Sequence, residues 1–291
     1  MKFIELKNDK ITVTLCSLGA AIYRLVYDNN DMMLSPINEQ DFDKEGVFYN
    51  KTIGRVTGRI KKDNKIILHG GPHGLCHQEF NYVKEDNKVI FTYVSLGDES
   101  SNEGTLNIKV TYTLIDNELI TETEITPDQK METSLTNHSF FCLGTSDINE
   151  LSLKLNSDSY VIYDEKLLAK GKEKIKDKYN FIEFTNVMKY GDIDNYFVLK
   201  NSEVLLQSNK YQLKLITDYQ GVHLFTDYFP DGVKTRLTNI DHHRALAIEP
   251  QDDKTISLSL AANIIVRRTS KYIFRKLNGN PRLFNCRDES I

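Results

Sequence analysis

Between Leu106 and Leu114 apolar and polar residues alternate without a break. Leu106, Ile108, Val110, Tyr112 and Leu114 fall on one side; Asn107, Lys109, Thr111 and Thr113 fall on the other. A period of two sends successive side chains to opposite faces of an extended chain, whereas a helix needs 3.6. The segment is therefore a strand with one buried face. Asp116-Asn117 follows as a turn, and Glu118 to Thr126 returns as a Thr/Ile-rich strand. Similar patterns occupy residues 11–18, 88–94, 150–155, 196–200, 211–216, 224–229 and 256–260. Short strands punctuated by Asn, Asp and Gly predict an all-β fold, a large antiparallel β-sandwich with few or no helices.

Helix signals are weak. Asp164 to Lys178 is rich in Lys and Glu but carries no sustained apolar stripe, so it reads as a short helix or a charged loop. No linker, internal repeat or heptad divides the chain, which predicts one β-sandwich domain over residues 1–275. Residues 276–291 read as a C-terminal extension of unassigned role, opened by the turn at Asn278-Gly279-Asn280-Pro281.

Composition narrows the partners. The 291 residues are 40% hydrophobic and 27% charged, enough apolar material for a sizeable core. Lys plus Arg total 37 against 41 for Asp plus Glu, a net charge of -4. Such a surface has no general attraction for phosphate backbones or anionic lipid, so neither nucleic acid nor a membrane is expected as a partner. No apolar stretch approaches the roughly 18 residues of a membrane span. Met1 to Lys7 meets charge before a signal-peptide apolar region can form. Cys16, Cys76, Cys142 and Cys286 are dispersed with no CxxC pair, as expected of reduced thiols in a cytoplasmic protein.

The common catalytic signatures are missing. There is no GxGxxG after a strand, and no GxxxxGK[ST], GxSxG or HExxH. His69, His73, Cys76 and His77 are donors that zinc accepts, but no second ligand pair stands nearby. Gly70, Gly71, Pro72 and Gly74 make the segment a shaped loop, so it reads as a substrate loop and no metal is expected. Chemistry concentrates in four places. Gly54 to Ile60 carries Arg55 and Arg59 among turn-forming residues; His69-Gly70-Gly71 sets an imidazole beside approachable backbone. Thr136 to Phe141 joins His138 to aromatics, and Ala245 to Gln251 ends an apolar run on Glu249, a carboxylate costly to bury without a duty.

Taken together these segments resemble the aldose 1-epimerase (galactose mutarotase) family. The pieces are GRVTGRI at 54–60, LHGGPHG at 68–74, TNHSFF at 136–141, DNYFVL at 194–199, GVHLFT at 221–226 and IEPQ at 248–251, in that order. The resemblance implies a galactose-mutarotase-type sandwich with an open sugar cleft, needing neither metal nor organic cofactor. It implies Glu249 as general base, His138 as general acid and His69 as a second active-site histidine. Arg59, Asp194, His223 and Gln251 are implied as substrate-binding residues. Gly58 stands where the family usually has Asn, His223 where Gln is common, and Phe80 where Trp is frequent. Arg59 and His69 are closer in sequence than usual, which suggests a trimmed hairpin.

Anomer interconversion suits this set. Ring opening removes a proton from the C1 hydroxyl and delivers one to the ring oxygen; closure reverses both transfers. A carboxylate with a reference pKa of about 4.3 and an imidazole at about 6.5 supply that pair at neutral pH. The expected activity is isomerisation of a free hexose such as galactose or glucose. The alternatives are a hexose-6-phosphate mutarotase, with Arg55, Lys61, Lys62 or Arg236 meeting the phosphate, and a non-catalytic carbohydrate-binding protein on the same fold.

Overall fold

Leu106–Ile115 and Glu118–Pro127 form a hairpin in unbroken antiparallel register, Leu106 opposite Pro127 and Ile115 opposite Glu118. Asp116 closes the turn in the left-handed region (φ 50°), which Asp tolerates better than most side chains. The computed structural model describes residues 1–97, 104–238, 240–253 and 259–278.

Four strands open the chain: β1 (Phe3–Lys7), β2 (Ile11–Cys16), β3 (Ala21–Tyr27) and β4 (Asn30–Asp31). Next come β5 (Thr52–Ile53), β6 (Arg59–Lys62), β7 (Lys65–Leu68), β8 (Asn81–Lys84) and β9 (Lys88–Ser95). The hairpin is β10 and β11; β12 (Met131–Glu132), β13 (Thr136–Asn137) and β14 (Ser139–Phe141) follow it. The second half holds β15 (Ser152–Tyr163), β16 (Ala169–Lys174), β17 (Thr185–Asn186), β18 (Asp194–Gln207) and β19 (Tyr211–Thr217). β20 (Gly221–Phe225), β21 (Leu246–Gln251), β22 (Ser259–Leu260) and β23 (Val266–Lys276) complete it. Helical structure among the described residues is confined to short 3₁₀ turns, and no helix there is long and apolar enough to cross a membrane.

The largest sheet runs β14-β21-β20-β18-β19-β23-β11-β10-β9-β8, with β15 also on β18. Along one edge β18 pairs first with β20 and then with β19, so the sheet turns at that long strand. The turn folds the sheet over itself. Phe141 of β14 meets Tyr272 of β23, ring centroids 5.4 Å apart, although four strands separate them along the path. Between the two layers lies one continuous core, including Phe91, Ile108, Tyr112, Leu224, Ile248 and Phe274. Burial of that apolar area is the main stabilising term.

The outer face of β14 and β21 has a second, smaller core. Phe140, Cys142, Ala245 and Ala247 pack there against Tyr23, Phe42 and Tyr49. Alternation along β21 thus gives Leu246 and Ile248 to the main core, and Ala245, Ala247 and then Glu249 to the opposite face.

Two segments differ from expectation. Residues 164–178 contain β16, an antiparallel partner of β15, and not a helix or a mere loop. The run read as a strand over 224–229 is one only to Phe225; Thr226 to Phe229 leave the sheet. Of the run at 256–260, Ser259–Leu260 is β22, and its first three residues lie outside the described ones. The chain past Lys271 stays in β23 to Lys276, and the expected extension lies almost wholly beyond the described residues.

Cys16 and Cys142 are fully buried, and burial pushes both thiols up to about 12. At pH 8 that leaves a thiolate fraction of about 10⁻⁴. Iodoacetamide at pH 8 is therefore predicted to spare both residues in the native protein and to label both in urea, read by peptide mass spectrometry. Native labelling at either position would contradict their placement in the core.

Candidate functional site

Strand register assembles the site. Tyr196 on β18 stands opposite His223 on β20, and His223 stands opposite Glu249 on β21. Ser139 pairs with Ile248, so His138, one residue earlier, faces Glu249. The outcome is a row of side chains across four adjacent strands, His138, Glu249, His223 and Tyr196, on the face turned away from the main core. His138 Nε2 lies 3.3 Å from Glu249 Oε1, and the two side chains are only 9% and 3% exposed. A carboxylate that deep in the protein needs a partner, and a protonated imidazole at that distance is one.

Asp194 sits one step along β18 from this row. His223 Nε2 lies 2.7 Å from Asp194 Oδ1; the carboxylate accepts, so that ring nitrogen carries the hydrogen. The Tyr228 hydroxyl donates to Asp194 Oδ2 at 3.2 Å. Tyr228 reaches it because Thr226 to Phe229 leave the sheet, and Arg244 fixes that departure. Its Nε and Nη2 donate to Asp227 at 2.8 and 3.0 Å, and Nη2 also reaches Asp231 at 2.8 Å. Both ends of the loop are thereby tied to Arg244, two residues before β21.

A hairpin supplies the other wall. β6 and β7 pair with Arg59 opposite Leu68, so Arg59 and His69 emerge side by side. The His69 N–H donates to Gly58 O at 2.9 Å, and the Gly58 N–H donates to His69 Nδ1 at 3.2 Å. With Nδ1 accepting, the neutral ring carries its hydrogen on Nε2. Behind His69 the glycine-rich loop is tightly wound: a Cβ at Gly74 would lie 2.2 Å from the His69 carbonyl oxygen. Phe48 packs edge-on against His69, centroids 4.8 Å apart, and the rings of His69 and His138 are 5.3 Å apart.

These walls enclose a cleft of about 820 Å³, which Arg59, His69, His138, Asp194, His223 and Glu249 all line. The volume lies within the usual range for small-molecule sites. Gln251 is not on its surface. It is fully buried behind the wall, where the Thr57 hydroxyl donates to its Oε1 at 2.7 Å. Arg55 is also removed from the cleft: its Nη2 donates to the carbonyls of Ser95 and Gly104 at 2.8 and 2.6 Å. Arg236 lies over the Tyr23 ring and does not line the cleft, whereas Lys61 and Lys62 do. Among the described residues, no group of three or more His, Cys, Asp or Glu side chains is placed to hold a metal ion.

The aldose 1-epimerase family model matches residues 2–263. The chain belongs to that family. Human galactose mutarotase is 26% identical over 266 residues, 78% of each protein. The rat galactose mutarotase is 28% identical over 190 residues, a match that spans only 56% of the rat protein. Among solved structures, an aldose epimerase homologue from C. elegans superposes with a TM-score of 0.86 at 27% identity, covering 95% of this chain and 99% of that one. A galactose 1-epimerase from Lactobacillus acidophilus shares the fold, with a TM-score of 0.82 at 24% identity, covering 94% of each chain. The family's galactose-mutarotase-type sandwich is therefore the fold of this protein.

Within this aldose 1-epimerase fold, several cleft residues were not legible from sequence. Phe48, Tyr163 and Phe229 line the cleft, and Tyr228 acts on Asp194. Phe229 is half exposed for so large an aromatic ring and presents an apolar face to the cleft. The pattern over residues 224–229 looks like strand to its end and hides the loop that presents Tyr228 and Phe229. Tyr163 is the last residue of β15, and only the pairing of β15 with β18 brings it to the site.

Proposed function

We propose that the protein is a mutarotase that interconverts the α and β anomers of a free hexose such as galactose or glucose. Glu249 takes the proton of the C1 hydroxyl while His138 delivers one to the ring oxygen, and the bond from C1 to that oxygen breaks. Rotation about C1–C2 turns the other carbonyl face to the freed hydroxyl. Closure then returns both protons by the reverse route. The observation carrying this reading is the contact of His138 Nε2 with Glu249 Oε1 at 3.3 Å on the cleft wall. O1 and the ring oxygen are both bonded to C1, so an acid and a base that close can serve them together. His69 and Arg59 in this reading hold the ring from the hairpin side, and Asp194 and His223 hold its hydroxyls.

The test is polarimetry of freshly dissolved α-D-galactose and α-D-glucose. Equilibration is expected to accelerate in proportion to protein concentration; rates equal to buffer alone would refute the proposal. A second reading, a hexose 6-phosphate as substrate, is favoured by Lys61 and Lys62 at the cleft. Glu45, Glu132 and Asp231 line the same cleft and oppose a dianion, so the free sugar is preferred. Faster equilibration of glucose 6-phosphate than of glucose would reverse that order. Sugar affinity without any interconversion would mark a binding protein.

A further inference from the structure

Tyr163 lies at the end of β15 and lines the cleft. Tyr160 pairs with Phe197, and Tyr163, three residues further along β15, lies close enough to Asp194 at the start of β18 to feel its charge. Its ring centroid is 6.2 Å from that of His223. The phenol oxygen is buried, and its hydrogen meets no acceptor among the described residues. Such atoms are a small minority in folded proteins and need a reason. The backbone group that bears on it, the Tyr196 N–H, is a donor, and so offers no acceptor to the phenol hydrogen.

We propose that Tyr163 is a specificity residue: its hydroxyl donates to a sugar hydroxyl remote from C1, beside Asp194. The placement follows from strand order. His138, Glu249, His223, Asp194 and Tyr163 come from β14 with its leading residue, β21, β20, β18 and β15, successive neighbours in the sheet. If C1 sits at the His138–Glu249 end, the far side of the ring points toward Asp194 and Tyr163. Burial, together with the fields of Asp194 and Glu249, pushes the phenol well above its ordinary range, so it stays a neutral donor. The assignment rests on the sugar reading above but not on turnover.

Tyr163→Phe keeps the ring and deletes the donor. Calorimetry with 1-deoxygalactose and 1-deoxyglucose, which have no anomeric hydroxyl, is the binding probe. The variant is expected to bind the preferred one about 3–10-fold more weakly. In anomerisation its KM rises by the same factor while kcat stays within about twofold, because the residue moves no proton. Among the 3-, 4- and 6-deoxy forms of the preferred sugar, one should bind wild type and variant equally, which identifies the hydroxyl contacted. Equal affinity of the two proteins for every fully hydroxylated sugar would overturn the proposal, as would a lowered kcat at unchanged KM. Wild type that binds 1-deoxygalactose but equilibrates no anomers would refute the catalytic reading alone. The weakened binding of Tyr163→Phe would then still stand.

Discussion

Glu249→Gln is expected to slow anomer equilibration by about 10²–10⁴-fold, the usual contribution of a positioned general base. Glutamine has the shape of the carboxylate and keeps its place opposite His223, so the cleft should retain its form. What is lost is an oxygen able to take the C1 hydroxyl proton. The loss should fall on kcat, with KM little changed, because in the proposed mechanism the remainder of the sugar is held from other strands. Polarimetry of α-D-galactose across a concentration series separates the two. A variant as fast as wild type would remove Glu249 from the mechanism and with it the reading of the site.

The largest stability effect is predicted for Arg244→Met, at about 3–5 kcal/mol, the range for stripping one partner from a buried ion pair. The Arg244 side chain is wholly buried and the Asp227 side chain nearly so. Besides the two aspartates, its donors reach the Tyr49 hydroxyl at 2.8 Å and the Val233 carbonyl at 3.2 Å. Burial pushes the Asp227 carboxyl up and Arg244 opposes it. Without the guanidinium, the upward push is opposed only by the backbone N–H of residue 244 and by His243. A carboxyl raised in the folded state favours folding below that pKa and disfavours it above. The deficit against wild type should therefore be larger at pH 8 than at pH 5. Urea unfolding at both pH values measures it, and Asp227→Asn in the same background should restore part of the loss. A single variant within about 1 kcal/mol of wild type would show that the pair contributes little.

How much of this was legible in the sequence depends on how local each cause is. The Leu106–Leu114 alternation and the Asp116-Asn117 turn carry their own instructions, and both elements formed as read. Residues 164–178 misled because Lys and Glu favour helices intrinsically, while their real setting is an edge. β16, Ala169–Lys174, pairs with β15 alone, and lysines there discourage further strand addition. Thr226 to Phe229 look like strand, yet Asp227 takes a left-handed backbone (φ 52°) to reach an arginine seventeen residues on. No local pattern contains that partner. The site divides in the same way. His69, His138 and Glu249 stand in segments that are weak singly but whose order along the chain resembles the family, whereas Tyr163 and Tyr228 belong to the cleft only through strand pairing and a long-range ion pair.

The floor of the cleft and the main core are odd and even members of the same strands. On β20, His223 alternates with Val222 and Leu224; on β21, Glu249 follows Ile248. Inserting or deleting one residue inside either strand would exchange the two sets, sending aliphatic groups to water and ionisable ones into hydrocarbon. A change of length inside β20 or β21 is therefore expected to cost far more than one in the loops that join them.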